Sequence, residues 1–102
     1  MTIVSSVAYF EDIYTIDDTT PKTLSDLGVT DDNLKLADYA HISVTSGSNV
    51  RFWVSGKIPT TTEGHILVTN GDRIIQGRVN IKNLTLVSQS TSSEICLTLY
   101  KG

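Results

Sequence analysis

The sequence is poor in cysteine and in basic residues, and each shortage excludes a class of protein. Its 102 residues include one cysteine, Cys96, which cannot form an intramolecular disulfide, so packing must stabilise the fold. Only eight residues are lysine or arginine, and they are scattered along a chain with a net charge of −3. Phosphate binding needs basic residues concentrated on one face, so we expect no nucleic-acid partner.

Long apolar runs are also missing. No uninterrupted apolar segment is long enough to cross a bilayer, and residues 1–7 lack the charged leader and apolar run of a signal peptide. We therefore expect a protein that is made in the cytoplasm and has no membrane partner.

β-branched residues are abundant instead. Valine, isoleucine and threonine together fill 33 positions, whereas alanine fills three. Branched side chains are stiff and pack well on a pleated surface, so this composition favours strands over helices. The length suits one domain with one core, spanning residues 1–102.

The N-terminal segment, residues 1–20, contains a β-prone run that ends before Pro21. Both of its faces are apolar, as expected when each face touches something. One face carries Phe10, Tyr14 and Ile16, and the other carries Val7, Tyr9 and Ile13. We interpret the segment as an N-terminal strand or as a docking arm that adds to a neighbouring chain.

The only helical signals lie near residues 31–37. Thr30 can cap a helix whose first residues, Asp31 and Asp32, suit the positive end of the helix dipole. Because the helical period stops at Ala37, we predict one short α-helix or 3₁₀ segment.

From residue 38 onward, short apolar–polar alternations are separated by turn residues. We predict a hairpin of strands 39–45 and 50–55, and a second hairpin of strands 65–69 and 72–76 joined by Asn70-Gly71. Gly77 indicates a bulge or bend, and strands 81–87 and 94–100 complete the chain. This pattern predicts an all-β fold, an antiparallel β-sandwich of jelly-roll type.

No spacing typical of a catalytic or metal site is present, so we predict no catalytic residue, no metal ligand and no cofactor, and hence not an enzyme. The candidate metal ligands would be His41, His65, Asp38 and Glu63, but they lack the paired spacing of metal-binding motifs. Half-solvated strand positions and turns explain them better.

Trp53 is the residue whose position needs explanation. Val50, Phe52 and Val54 form the inward set of their strand, which leaves Trp53 on the outer face with Arg51. Tryptophan beside arginine is frequent at binding hot spots, and an aromatic ring on a sandwich also suits stacking on a sugar. Alternatively, Trp53 lies under residues 57–64 or under the N-terminal segment.

Several short runs of the sequence form a familiar set. They are ADYAHISV (37–44), VRFWVSG (50–56), PT (59–60), GHIL (64–67), GD (71–72), IKNL (81–84) and LTLY (97–100). Together these runs resemble small β-sandwich virion proteins of tailed bacteriophages, of the head-associated or capsid-decoration type. The resemblance covers residues 23–100, and Trp53 stands where those proteins usually have a polar or basic residue.

The resemblance implies a non-enzymatic capsid decoration or cement protein that resides in the virion and binds the phage major capsid protein. It also implies a homo-oligomer, for which a trimer is one arrangement. The interface residues that we predict are Tyr9, Phe10, Tyr14, Arg51 and Trp53. The alternative function is a carbohydrate-binding or host-adhesion module of a virion, with Trp53, Arg51 and Tyr100 as its platform.

Overall fold

The structure, a computed structural model, describes residues 7–102 as eight strands and two short helices. In chain order the elements are β1 Val7–Ile16, β2 Lys22–Thr23, α1 Asp31–Leu34, β3 Tyr39–Gly47, β4 Val50–Trp53, β5 His65–Leu67, β6 Asp72–Gln76, α2 Arg78–Asn83, β7 Thr85–Ser88 and β8 Ser93–Lys101.

The strands form two four-stranded antiparallel sheets, with the orders β1-β8-β3-β6 and β2-β7-β4-β5. The strands pair from the ends of the chain inward: β1 with β8, β2 with β7, β3 with β6 and, in the middle of the chain, β4 with β5. This is the pairing of one long hairpin wrapped into two sheets, which defines a jelly roll. The predicted all-β, jelly-roll-like sandwich is therefore confirmed.

The core lies between the sheets and is built from the inward side chains of the predicted alternations. Ile42 and Val44 on β3 and Leu97 and Leu99 on β8 are at most 1% exposed. Side chains of period two point to one face of a strand, so both sheets present a continuous apolar surface inward. The other buried members include Ala40, Val50, Phe52, Leu84, Leu86 and Ile95.

The short helix predicted near residues 31–37 is confirmed as α1. The Thr30 hydroxyl accepts a hydrogen bond from the Asn33 N–H at 3.3 Å, as an N-cap should. Leu34 and Ala37 are both buried, so packing rather than length stabilises this single turn.

Both predicted hairpins are wrong. Strands β3 and β4 lie in different sheets, and so do β5 and β6. The turn at Asn70-Gly71 is present: Asn70 has φ 67°, and the Gly71 N–H donates to the Val68 carbonyl at 2.8 Å. A turn signal specifies local backbone geometry, but here each turn carries the chain across the sandwich instead of back along the same sheet.

The predicted strand 81–87 is also wrong in its first half, which forms α2. Gly77 adopts φ 98° and ends β6, which turns the bend predicted there into the start of a helix. Only Ile81 of the helix is buried, whereas Val79 is 70% exposed. One inward side chain per turn suits a short helix over the end of the sandwich better than a strand that needs every second residue buried. Within residues 7–102, neither helix has the length and apolar character needed to cross a membrane.

Candidate interaction surfaces

The structure divides the predicted interface residues between the two sheets. Arg51 and Trp53 lie on β4, whereas Tyr9, Phe10 and Tyr14 lie on β1 of the opposite sheet. Tyr100 lies on β8 next to β1, so it shares no platform with Trp53. The two groups are therefore separate surfaces.

Trp53 is half-buried, and the residues that contact its ring belong to its own chain. It pairs with Thr85 on the outer face of its sheet, as predicted. The His65 ring meets it edge-on with centroids 5.1 Å apart, and the Lys57 Nζ lies 5.0 Å from its centroid. A cation over an indole face is a favourable contact, so Lys57 holds the beginning of its loop against Trp53.

The loop between β4 and β5, residues 54–64, also contacts this outer face at Arg51, two residues before Trp53 on β4. The Arg51 Nη1 donates to the Gly64 carbonyl at 3.0 Å, and Pro59 within the loop is buried. Val87 pairs with Arg51 on the outer face and yet is 2% exposed. Of the two sequence interpretations of Trp53, the structure therefore matches cover by residues 57–64.

Polar atoms on and beside this face are incompletely paired. Among the described residues, the buried side-chain atoms that have no hydrogen-bond partner are Arg51 Nε, Trp53 Nε1 and Gln89 Oε1. A buried donor or acceptor without a partner destabilises the folded state, so this layer is less well satisfied than the core between the sheets.

On β1, the predicted aromatic residues pack inward. Tyr9, Phe10 and Tyr14 are half-buried against the core. The register of β1 against β8 shifts between Ala8 and Phe10, and such a bulge brings Tyr9 and Phe10 to the same face. This shift explains why two consecutive residues of the segment are aromatic, whereas Ile13, which follows the bulge, stays on the outer face.

The pKa values of the two tyrosine hydroxyls on β1 are raised. Burial raises the pKa of Tyr9, and the negative charge of Asp38 raises it further. The Tyr9 hydroxyl donates to the Asn33 carbonyl of α1, which ties β1 to the helix. Burial also raises the pKa of Tyr14, with a smaller contribution from Asp12. Both phenols therefore stay protonated at neutral pH, as the Tyr9 hydroxyl must be to donate to Asn33.

The other long side of β1 is an open sheet edge. Within residues 7–102, β1 pairs with β8 alone. Val7 and Ile13 are 59% and 58% exposed, and the Ile13 N–H donates to its neighbour, the Asp12 Oδ1, at 2.8 Å. An edge strand with unpaired backbone groups and exposed apolar side chains is a template for another strand.

The four candidate metal ligands do not converge. His41 Nε2 lies 2.7 Å from Asp72 Oδ2, Asp38 bonds the Arg78 Nε at 3.2 Å, and His65 packs on Trp53. Across residues 7–102, no group of three or more histidine, cysteine or acidic side chains is placed to hold a metal ion.

A buried hydroxyl cluster was not foreseen from the sequence. The Ser88 Oγ lies 2.6 Å from both the Ser48 Oγ and the Ser93 Oγ, and it also bonds the Thr91 carbonyl. The cluster joins the β3–β4 turn to the β7–β8 turn. Serines flanking turns are common, so no local signal distinguishes these three from solvent-exposed ones.

The chain was compared with protein-family models, with curated proteins and with solved structures, and none of the three comparisons gives a match. The fold and the two surfaces are therefore the observations on which a function is proposed.

Proposed function

We propose that this protein is a non-enzymatic structural protein of a bacteriophage virion, a capsid decoration or cement protein. It binds the phage major capsid protein, stabilises the head and acts as a homo-oligomer. The observation that carries the proposal is a jelly roll whose longest open edge, β1, carries exposed apolar side chains. Jelly rolls recur in viral capsid and lectin domains, and open edges accept strands from partners.

A cement protein must transmit load through a rigid body, and several contacts support this role. The inward aromatic side chains fix β1 on the core, so its free edge is held in a defined position. The hydroxyl cluster at Ser88 joins two turns at one end of the sandwich, and Tyr9 ties β1 to α1 at the other. The edge is therefore preorganised for strand pairing within the homo-oligomer, which lowers the entropy lost on assembly.

The test is whether the protein occupies and stabilises heads. Mass spectrometry of purified virions from the phage that encodes this chain should detect the protein. Purified protein should sediment with heads that lack it and should raise the temperature at which those heads open. Virions without the protein, or heads whose thermal stability it leaves unchanged, would contradict the proposal.

A carbohydrate-binding or host-adhesion module is the second candidate, favoured by the cluster of Trp53, His65, Lys57 and Arg51. Because Lys57 lies over the indole, a sugar ring must displace it to stack there. We expect Lys57→Ala to strengthen glycan binding and Trp53→Ala to abolish it on a glycan array. Absence of binding by both the wild type and Lys57→Ala would remove this candidate.

A further inference from the structure

We propose that two copies of this protein join through β1, edge to edge and antiparallel, around a two-fold axis at Ile13. The two β1-β8-β3-β6 sheets then become one continuous sheet. The inference concerns the isolated protein and stands whether or not the protein binds a capsid. It gives a dimer in place of the trimer suggested by the resemblance.

The backbone of β1 is oriented for this pairing. The Ile13 N–H donates to the Asp12 carboxylate and not to β8, so it points to the open edge. Backbone groups of successive residues in a strand point to alternate sides. Glu11 and Thr15 therefore share the orientation of Ile13, and these three residues offer both N–H and C=O groups to an incoming strand.

Two requirements restrict the register. Residues opposite each other in antiparallel strands share a face, so outward side chains must oppose outward ones. The two-fold axis therefore lies midway between the two copies of a single residue, which face each other across the paired strands. An axis at Glu11 or Asp12 would set that carboxylate against its own copy, and like charges directly opposite are destabilising.

An axis at Ile13 avoids every acidic pair and uses the whole strand after the bulge. Ile13 opposes Ile13 of the second copy, which covers a side chain that is 58% exposed in the single chain. Glu11 then opposes Thr15, and Asp12 opposes Tyr14. At the ends, Phe10 opposes Ile16, so apolar residues meet on the inner face. The strand is thus self-complementary in this one long register.

In the monomer, the Asp12 carboxylate occupies the Ile13 N–H that would otherwise bind a second copy. The carboxylate accepts this N–H at 2.8 Å, the same group that donates to the second copy in the dimer. On pairing, the N–H passes to the Ile13 carbonyl of the second copy, and Asp12 moves beside a Tyr14 hydroxyl that can donate to it. Dimerisation therefore exchanges one hydrogen bond of Ile13 for another, which adds little net free energy. We expect the dimer to dissociate on dilution for this reason.

The first experiment is sedimentation equilibrium of the wild type and of variants at Ile13. The wild type should show a monomer–dimer equilibrium. Ile13→Pro should be monomeric but folded by circular dichroism, because proline removes an N–H that faces the edge and leaves the β1–β8 ladder intact. Ile66→Lys, on the outer face of β5, is the matched control and should dimerise like the wild type. A wild type that stays monomeric up to about 1 mM, or forms trimers, would overturn the inference.

The second experiment tests the position of the axis. Ile13→Lys and Ile13→Glu should each weaken dimerisation by about tenfold or more, because each places like charges opposite one another. Mixing the two variants should restore association as a heterodimer. The two copies of residue 13 come closest when the axis lies at that residue, so failure of the rescue, with both variants folded, would overturn the proposed register.

Disulfide trapping provides a geometric test. Ile13 pairs with Cys96 within the chain, so the variants are made in a Cys96→Ser background. The Cα atoms of a hydrogen-bonded antiparallel pair lie about 5.5 Å apart, within the range that a disulfide spans. Oxidised Ile13→Cys should give a covalent dimer, whereas Thr15→Cys, which opposes Glu11, should stay uncross-linked. The reverse pattern would contradict the register. None of these assays contains capsids, so their failure is distinct from a failure of head binding.

Discussion

Trp53 lies on an outward face and is nevertheless in contact with its own chain. Lys57 and His65 lie against its ring, and Val87 on the same face is almost completely buried. The β4–β5 loop therefore acts as a third layer outside one sheet of the sandwich. Two kinds of single-residue contribution to stability follow: side chains that pack against this loop, and carboxylates that accept hydrogen bonds in turns.

Substitutions of Trp53 should separate the contribution of ring packing to stability from the contribution of the indole N–H. We expect Trp53→Phe to change the free energy of unfolding by less than about 1 kcal/mol, because the aromatic contact remains while a buried donor without a partner is removed. Trp53→Ala should lower it by about 1–3 kcal/mol, because the loop loses its support. Urea denaturation followed by circular dichroism measures both. Wild-type stability of Trp53→Ala would show that the ring contributes no packing to its own chain.

Asp17 should make stability depend on acidity. Its carboxylate accepts hydrogen bonds from the Thr20 and Thr19 N–H groups at 2.7 and 3.1 Å, which hold its pKa below the ordinary value of 3.8. The folded state thus favours the ionised form, and this contribution is complete above about pH 5 and is lost as the pH falls through the ordinary pKa and then the lower folded pKa.

We therefore expect Asp17→Ala to be less stable than the wild type at pH 7, with a difference that shrinks towards pH 2. Thermal melts across this pH range measure it. Asp26 accepts from the Thr23 N–H at 3.0 Å and has its pKa lowered for the same reason, so Asp26→Ala should behave alike. A stability difference that is constant with pH would contradict this account.

At the scale of elements, connections decide where each strand goes. The β3–β4 connection crosses between the sheets, and Gly47 lies where β3 ends against β8. Gly47 has φ 87°, and a Cβ there would overlap the Ser92 carbonyl oxygen and lie 2.7 Å from the Ser93 Cα. The corner therefore requires glycine for two reasons, its dihedral angle and its lack of a side chain.

Two glycine substitutions should separate these reasons. Gly28 also has a positive φ, 109°, but a Cβ there meets nothing within 4 Å. We expect Gly28→Ala to lower the free energy of unfolding by about 1–2 kcal/mol, the cost of the left-handed conformation for a residue with a Cβ. Gly47→Ala should cost at least about 1 kcal/mol more, because backbone atoms must also shift. Chemical denaturation of both variants decides, and equal losses would show that the clash at Gly47 relaxes freely.

At the scale of the whole molecule, the jelly roll joins the two ends of the chain. Strand β1 pairs with β8 along nine residue pairs, and β2 pairs with β7 just inside them. These contacts form only after most of the chain has been brought together, and the loop entropy of that closure opposes folding. The same closure leaves β1 at a sheet edge, where a second chain can reach it.

Folding should therefore be slow for a chain of this length. We expect refolding on a time scale of milliseconds to seconds, as for other all-β proteins dominated by distant pairings. Stopped-flow dilution from urea, followed by the fluorescence of the single tryptophan, measures the rate. Refolding complete within microseconds would show that local contacts control folding.

Local patterns in the sequence were sufficient for much of the fold. The alternation of residues 39–45 and 94–100 identified strands and their inward faces, and Thr30 marked the start of the helix. The outward position of Trp53 also followed from its neighbours. These features depend on side-chain period and capping, which act over a few residues and are therefore visible in the sequence.

Only the tertiary structure decided which strands pair, that α2 replaces part of a strand, and what covers Trp53. Both predicted hairpins had correct turns and wrong partners, because a turn limits the path of the chain for four residues and leaves the choice of sheet to packing. Lys57, which contacts Trp53, and Gly64, which accepts from Arg51, come from a loop without periodicity, residues 54–64. Composition and alternation thus determined an antiparallel sandwich of jelly-roll type, whereas burial shared between distant segments selected the strand partners and left the edge of β1 open.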